Sequence, residues 1–449
     1  MYKNTEHIVE IIDFGSNGEG IAKPEGYTVF VPSAVKGDIA KILIVKENKN
    51  FGYGKLLEVI KPSPLRTKAQ CSVFPKCGGC SMQSVSYEAQ LRYKENKVLE
   101  ALRRKGGFKD ASISSVTGSK PFYNYRNKAQ FPVTPTKEGL CSGFYAPNSH
   151  RVVPVDFCAL QDERSNALSS LVTAWANENK ISGYDEKTGK GLLRRICVRC
   201  GKDEAVLVLV TKKALPHTDK LIEKIKAEFS YVKGIVQNFN SSPSNNIYGD
   251  KDEVLFGVPY IFDYIGDIKY KIHYKSFYQV NPYTTKLLYE KALSLTDCNK
   301  ETTVFDLYCG SGTISLFLAK KAKKVIGIEI VEDAVKNAKE NAVLNNIDNA
   351  LFYCGEAEKV APRLIKEGTK ADCVVLDPPR KGCDETLLHA IGDMLPSRIV
   401  YVSCDCATMA RDAKRLSEYG YTLTEVHVFD QFPQTSHVET VVLLQRQNM

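Results

Sequence analysis

No stretch of this chain is apolar for long enough to cross a membrane, and its opening residues, MYKNTEHIVE, are polar where a secretory signal would be basic and then apolar. These absences exclude a transmembrane helix and leave a soluble, cytoplasmic protein as the expectation. Internal repeats and low-complexity tracts are also missing, which excludes a solenoid or a repeat array. Without a secretory signal, the fourteen cysteines read as reduced thiols, metal ligands or catalysts rather than disulfides. What remains is a globular composition, 43% hydrophobic and 25% charged, over 449 residues, enough for roughly three domains.

The net charge of +9 is unevenly spread. Residues 1–60 carry −1 and residues 271–449 carry −1, whereas residues 61–270 hold 32 Lys and Arg against 21 Asp and Glu. A basic excess confined to the middle of the chain points to a polyanionic partner, nucleic acid first. Nothing in the sequence points to an obligate protein partner.

The pattern along the chain predicts three parts. In residues 1–60, short alternating runs such as YTVFVPSAV and KILIVKE, broken by glycine, predict a small antiparallel β-barrel of the oligonucleotide-binding type. Phe51 and Tyr53 are its candidate stacking residues. KPSPLRT, residues 61–67, reads as a linker. Residues 61–270 mix a helix with strand-like runs and predict a central basic α+β domain. From 271 to 449 the rhythm becomes strand, Gly-rich turn, helix and strand, an α/β layout on a largely parallel sheet.

Three groups of residues carry chemistry. CSVFPKCGGC brings Cys71, Cys77 and Cys80 within ten residues, and the diglycine allows the tight backbone that points sulfurs inward. A fourth ligand has to come from elsewhere, with Cys141, Cys158, Cys197 and Cys200 as candidates, and zinc and a [4Fe–4S] cluster both remain open. VFDLYCGSGTISLFLA is a strand, a Gly-rich turn and a helix start, and a second strand ends in Glu329, nineteen residues after Gly310, where an acidic side chain can bind a ribose diol. Ser315 stands where a dinucleotide site needs its third glycine, so the turn suits S-adenosylmethionine better than NAD. ADCVVLDPPRKG places Asp377 at a strand end, and Arg380 replaces the aromatic residue that amino-group methyltransferases stack on their base.

RIVYVSCDC ends at the same sheet edge and puts a thiol near both methyl donor and substrate. A pyrimidine C5 is a poor nucleophile until a thiolate adds to C6, and a base must then remove the C5 proton. Glu439 in FPQTSHVETVVLL is the candidate base, with His437 as an orienting or structural neighbour.

These motifs, with VVPVDFCALQ and SFYQVNP, span nearly the whole chain in a consistent order, and the sequence resembles the RNA uracil-C5 methyltransferases, in particular the iron–sulfur-containing 23S rRNA members. The resemblance implies a class I, Rossmann-like S-adenosylmethionine-dependent catalytic domain, a central [4Fe–4S] domain and an N-terminal TRAM barrel. It implies Cys404 as nucleophile and Glu439 as proton acceptor. It further implies Gln279, Tyr308, Thr313, Glu329, Glu356 and Asp377 as cofactor-site residues, and Cys71, Cys77, Cys80 and Cys158 as cluster ligands. One departure is Cys406, where the family usually has proline, which predicts a looser turn and makes a Cys404–Cys406 redox link conceivable.

The alternatives are a tRNA uracil methyltransferase, an RNA cytosine-C5 methyltransferase and a non-catalytic cluster-bearing RNA-binding factor. Arg380 occupies the place of the second cysteine that the cytosine enzymes need. Cys197 and Cys200 form a CxxC that could bind metal. Tyr125, Arg126 and Lys128 in NYRNKAQFPV form a candidate RNA-contact strand.

Overall fold

The computed structural model describes residues 3–446. In the first part, strands alternate buried and exposed positions, as Ile39–Glu47 and Phe51–Lys61 do, and fill a small core of Val29, Val31, Ile42 and Ile44. The sheet closes because one stretch serves as both its first and its last strand. Glu6–Glu10 pairs with Ile39–Glu47, and its continuation Asp13–Phe14 pairs with Gly20–Ala22. A closed barrel leaves no unpaired edge. Phe51 and Tyr53 lie exposed outside it, each about a ring's width from Phe30, at 5.9 and 5.8 Å between centroids. The stretch that reads as a linker is ordered: Arg66 pairs at 2.5 Å with the fully buried Asp38, which also accepts the N–H groups of Val35 and Ser63.

The central part is a seven-stranded sheet in the order Val152–Pro154, Gly139–Tyr145, Lys128–Thr136, Leu193–Cys200, Ala205–Thr211, Val232–Phe239, Lys251–Gly257. All neighbours are antiparallel except Ala205–Thr211 and Val232–Phe239, which the helix Thr218–Glu228 connects. Helix Glu163–Glu178 covers one face through Leu168, Val172 and Trp175. Cys197 and Cys200 both sit buried on one strand. Three residues apart on a strand, they point to opposite faces, so they cannot chelate one ion.

The last part is an α/β sheet whose strands we number β1 (Thr303–Leu307), β2 (Lys324–Glu329), β3 (Ala350–Cys354), β4 (Cys373–Leu376), β5 (Arg398–Ser403), β6 (Tyr421–Phe429) and β7 (Glu439–Arg446). Their order is β3-β2-β1-β4-β5-β7-β6. The first five are parallel, and β7 enters antiparallel between β5 and β6. The central strands are nearly continuous apolar runs, as burial on both faces requires: CVVL in β4, IVYV in β5 and VFDL in β1 are all buried, with Asp306 the one charged residue among them. Helices α1 (Pro282–Thr296), α2 (Thr313–Ala319), α3 (Glu332–Leu344), α4 (Ala357–Lys366), α5 (Glu385–Met394) and α6 (Cys406–Ser417) cover the faces. Among the described residues, no helix is long and apolar enough to cross a membrane.

Two segments from before residue 271 are built into this last layer. Helix Tyr87–Ala101 buries Val98 in the same core as Leu307, Leu376 and Met409, and Ser115–Thr117 adds a parallel strand beside β6. The hairpin Tyr260–Ile265 and Ile268–His273 bonds to α3 and the residue that caps it, where Asn341 and Asn345 accept the N–H groups of Lys271 and Lys269. The sequence pattern marked the boundary at 270 from the onset of βα alternation, but tertiary packing carries these earlier segments across it.

Candidate active site

The sheet brings Cys404, Glu439 and Asp377 to one edge. Strand β5 ends at Ser403, which pairs with Thr440 in β7, so Cys404 and Glu439 are the next opposed positions of the antiparallel ladder. Leu376 at the end of β4 lies beside Tyr401 of β5, and Asp377 follows it to the same edge. Thr440 fixes the junction by donating its hydroxyl to the Ser403 carbonyl, 3.2 Å. The turn after Cys404 is held without proline. Ser403 Oγ accepts the Asp405 N–H at 3.1 Å, and Asp405 caps α6 by accepting the N–H groups of Ala407 and Thr408 at 3.0 and 3.1 Å. Cys406 is the first residue of α6, with its thiol buried against the Lys97 carbonyl, 3.9 Å away.

The electrostatics of this edge follow from burial. Desolvation, reinforced by Glu439 and Asp377, pushes the Cys404 thiol up to about 11, while the Arg380 guanidinium donates to the sulfur and opposes that rise. Desolvation pushes Asp377 up to about 7 and holds Glu439, 2% exposed, well above the usual carboxylate range, with Asp377 adding to the effect and Arg380 opposing it. Desolvation and the cations Arg380, Lys97, Lys94 and Arg126 push His437 down to about 4, so its ring is neutral at physiological pH. Arg380 is the cation at this edge, noted from the sequence only as a departure. Its position directly after Asp-Pro-Pro was the available signal.

Replacing Arg380 by methionine is therefore expected to raise the Cys404 pKa further. Below its pKa, each unit of rise removes about nine-tenths of the thiolate, so a one-unit shift lowers kcat/KM about tenfold near neutral pH. The loss should shrink as the pH is raised. A pH–rate profile checks this, and a loss that stays uniform across pH would refute the electrostatic role.

The cofactor end lies across the sheet from β4 to β3. Tyr308 leaves β1 in the left-handed region (φ 69°), followed by Gly310 and Gly312 at 54° and 78°. At Gly312 a Cβ would stand 3.0 Å from the Phe352 ring and 3.1 Å from Ala338, so glycine lets the turn close on the sheet. Glu329 accepts the Gly310 N–H at 3.1 Å and the Val331 N–H at 2.9 Å, tying the end of β2 to the turn. Ser315, in the place of a third glycine, donates its hydroxyl to the buried Asp306. Asp306 keeps its other oxygen unpartnered and is pushed up to about 7 by burial, with Asp377 and Glu329 adding to the rise. A group of acids with an unpartnered buried oxygen fits a ligand bearing a sulfonium and an ammonium charge.

The other expected cofactor residues are placed as follows. The Gln279 side chain is buried and accepts from Gln431 at 3.3 Å. Thr313 opens α2 with its hydroxyl on Tyr289, 3.0 Å, and its carbonyl on Tyr270, 2.9 Å. Glu356 lies at the N-terminus of α4, paired with Lys359 at 2.5 Å.

Cys71, Cys77, Cys80 and Cys158 line one cavity of about 280 Å³. N–H groups point at their sulfurs: Gln83 to Cys80 at 3.2 Å, Gly79 to Cys77 at 3.4 Å, and the backbone of Leu160 and Gln161 to Cys158. Among the described residues, no three Cys, His, Asp or Glu side chains converge as ligands of one metal ion. Arg126, Lys128 and Gln130 form another wall of the cavity. The candidate RNA-contact strand is thus turned inward: Tyr125 is 1% exposed with its hydroxyl on the Pro433 carbonyl, and burial pushes Lys128 down to about 8. Alternation along Lys128–Thr136 could not show which of its faces meets water.

A family model described as tRNA (Uracil-5-)-methyltransferase matches residues 86–447, and a TRAM domain model matches residues 2–57. An uncharacterized RNA methyltransferase of Bacillus cereus is 48% identical over 437 residues, covering 97% of this chain and 95% of its own length. One of Clostridium tetani is 46% identical over 445 residues, covering 98% and 96%. Among solved structures, the Pyrococcus abyssi tRNA (uracil-54, C5)-methyltransferase in complex with S-adenosyl-L-homocysteine superposes with a TM-score of 0.78 at 28% identity, covering 98% of this chain and 100% of that one.

Proposed function

The chain belongs to the tRNA (uracil-5-)-methyltransferase family of S-adenosylmethionine-dependent RNA methyltransferases, and from that premise we propose that it methylates C5 of a uridine in 23S rRNA in the cytoplasm. The observation that carries the chemistry is Cys404 opposite Glu439 at the sheet edge that also holds Asp377 and Arg380. Arg380 favours the thiolate of Cys404, which adds to C6 of a uracil taken out of its stack. C5 thereby becomes nucleophilic enough to accept a methyl group. Bound S-adenosylmethionine supplies that group from its sulfonium and leaves as S-adenosylhomocysteine. Glu439 then takes the C5 proton, the C5–H electrons restore the C5–C6 double bond, and the C6–S bond breaks to return the thiolate. Gln279, Tyr308, Thr313, Glu329, Glu356 and Asp377 are the residues we assign to holding the methyl donor.

We assign Cys71, Cys77, Cys80 and Cys158 to a [4Fe–4S] cluster. Support comes from their shared cavity, the N–H groups on their sulfurs, and the Arg126 and Lys128 wall, which complements an anionic cluster. Protein purified without oxygen is expected to be brown, with a broad absorbance near about 400 nm that Cys80→Ala weakens. A colourless protein with one zinc per chain would refute the assignment.

The choice of 23S rRNA rests on the joint presence of the thiol site and the TRAM barrel. The Pyrococcus structure, an enzyme of tRNA uracil-54, favours a tRNA substrate as the second reading. Nucleoside mass spectrometry after incubation with unmodified 23S rRNA and tRNA transcripts separates them. 5-Methyluridine in the rRNA alone supports the proposal, in the tRNA alone it supports the second reading, and 5-methylcytidine overturns both.

A further inference from the structure

The loop between β6 and β7, residues 430–438, ends on Glu439, and residues outside the α/β part hold most of its backbone. Lys94, on helix Tyr87–Ala101, forms a fully buried ion pair with Asp430 and donates to the Phe432 carbonyl at 3.0 Å. Tyr125 donates to the Pro433 carbonyl at 3.0 Å. Lys97 donates to the Ser436 carbonyl and also to Ser16 in the barrel, each at 2.8 Å.

Gln434 is the centre of this arrangement. It is 2% exposed and adopts the left-handed region (φ 68°), a conformation a non-glycine residue keeps only where its surroundings enforce it. Its carbonyl accepts the N–H groups of Ser81 and Met82, at 3.1 and 3.0 Å. Its N–H donates to Gln90 Oε1 and its side-chain oxygen accepts from Gln90 Nε2, both at 3.0 Å. Gln90, 1% exposed, spends the same amide group on the carbonyls of Met82 and Val85, 3.2 and 2.9 Å away. Ser81 follows Cys80 directly, and its hydroxyl accepts the Ser436 N–H at 3.1 Å. One short run, residues 80–82, thus carries a thiol of the cysteine cavity and grips the loop that delivers Glu439.

We propose that Gln90 and Gln434 are positioning residues for Glu439, and that the thiol-bearing loop is the anchor against which they set it. The inference rests on the reading of Cys404 as nucleophile and Glu439 as proton acceptor. It assigns the cysteine site a task in the proton-removal step, distinct from gripping RNA.

The test exploits the order of the bonds. With 5-fluorouridine at the target position, C5 carries no proton for Glu439 to take, so the methylated C6–S adduct persists whether or not the carboxylate is well placed. Gln434→Asn keeps a residue that tolerates the left-handed backbone but shortens the amide. Gln90→Met keeps the volume and deletes both bonds to Gln434 together with those to the Met82 and Val85 carbonyls, so it serves if the first variant does not fold. For each full-length variant, turnover on uridine RNA is compared with the rate of adduct formation on 5-fluorouridine RNA. The expected result is a fall in kcat of about 10²-fold, the scale of a misplaced catalytic group, with KM and the adduct rate unchanged. Cys80→Ala is expected to show the same split. Turnover and adduct formation falling together, or neither falling, overturns the inference for the glutamines. A Cys80→Ala protein that turns over like the wild type overturns the anchoring role. A wild type that forms no adduct at all overturns the underlying reading itself.

Discussion

A Cys404→Ala protein is expected to lose at least about 10⁴-fold of its methylation rate while still binding S-adenosylmethionine, the scale on which removing a catalytic nucleophile acts. The expectation follows from where the burden of the reaction falls. Without a thiolate on C6, the uracil C5 has no electron density to offer, and neither Glu439 nor Arg380 can supply it. The methyl donor, by contrast, is assigned to the turn after β1 and to the end of β2, and Cys404 holds none of the bonds that shape that turn. Calorimetry of donor binding and mass spectrometry of 5-methyluridine check the two halves separately. Cys404→Ser should fail nearly as fully, because a hydroxyl starts from a far higher pKa than the thiol's about 11. Cys406→Ser is the control: its thiol faces the Lys97 carbonyl from the first turn of α6, so activity should persist. Full activity in Cys404→Ala would end the nucleophile assignment.

Much of this site was legible in the sequence because its residues sit at strand ends. RIVYVSC and VVLDPP each end a β-run on one polar or nucleophilic residue, and a parallel sheet gathers such ends at one edge, to which the antiparallel β7 returns with its first residue, Glu439 of SHVET. The barrel was legible for a related reason: alternation and glycine are local signals. What escaped was set by contacts distant in sequence. Gln90 and Gln434 lie 344 positions apart, and nothing local distinguishes either from an exposed glutamine. Arg126 and Lys128 look like a surface until the cavity they line is built. Helix Tyr87–Ala101 was legible as a helix, but its attachment to α6 and to the β6–β7 loop was not. The proline-rich stretch 61–67 reads as a break by composition, whereas the buried Asp38 fixes it to the barrel.

Glu439→Gln should stop the cycle one step later than Cys404→Ala does, and the two failures should look different. The amide keeps the size of the side chain but cannot accept the C5 proton, so the thiolate has no electrons pushing it off C6. Methyl transfer proceeds once, and the protein remains joined to methylated RNA. Turnover falls by about 10³-fold or more, while ordinary uridine RNA gives a covalent band on a denaturing gel. The pH dependence follows from the carboxylates. Burial first, and then Asp377, hold Glu439 above its ordinary pKa, so it stays protonated to a higher pH than an exposed glutamate would, and it is a stronger base once ionised. Wild-type turnover limited by this step therefore rises with pH until Glu439 is ionised. Asp377→Asn, by removing the neighbouring charge, should shift that rise to lower pH, and, because Asp377 is assigned to holding the methyl donor, its loss should also raise the donor KM. Measured at saturating donor, a rise that does not move in Asp377→Asn would show that Glu439 titrates independently of Asp377. An absent covalent band in Glu439→Gln would show that another group takes the proton. With the band present and the Asp377→Asn shift observed, the two carboxylates act as a coupled pair in which one tunes the other for the removal of a single proton.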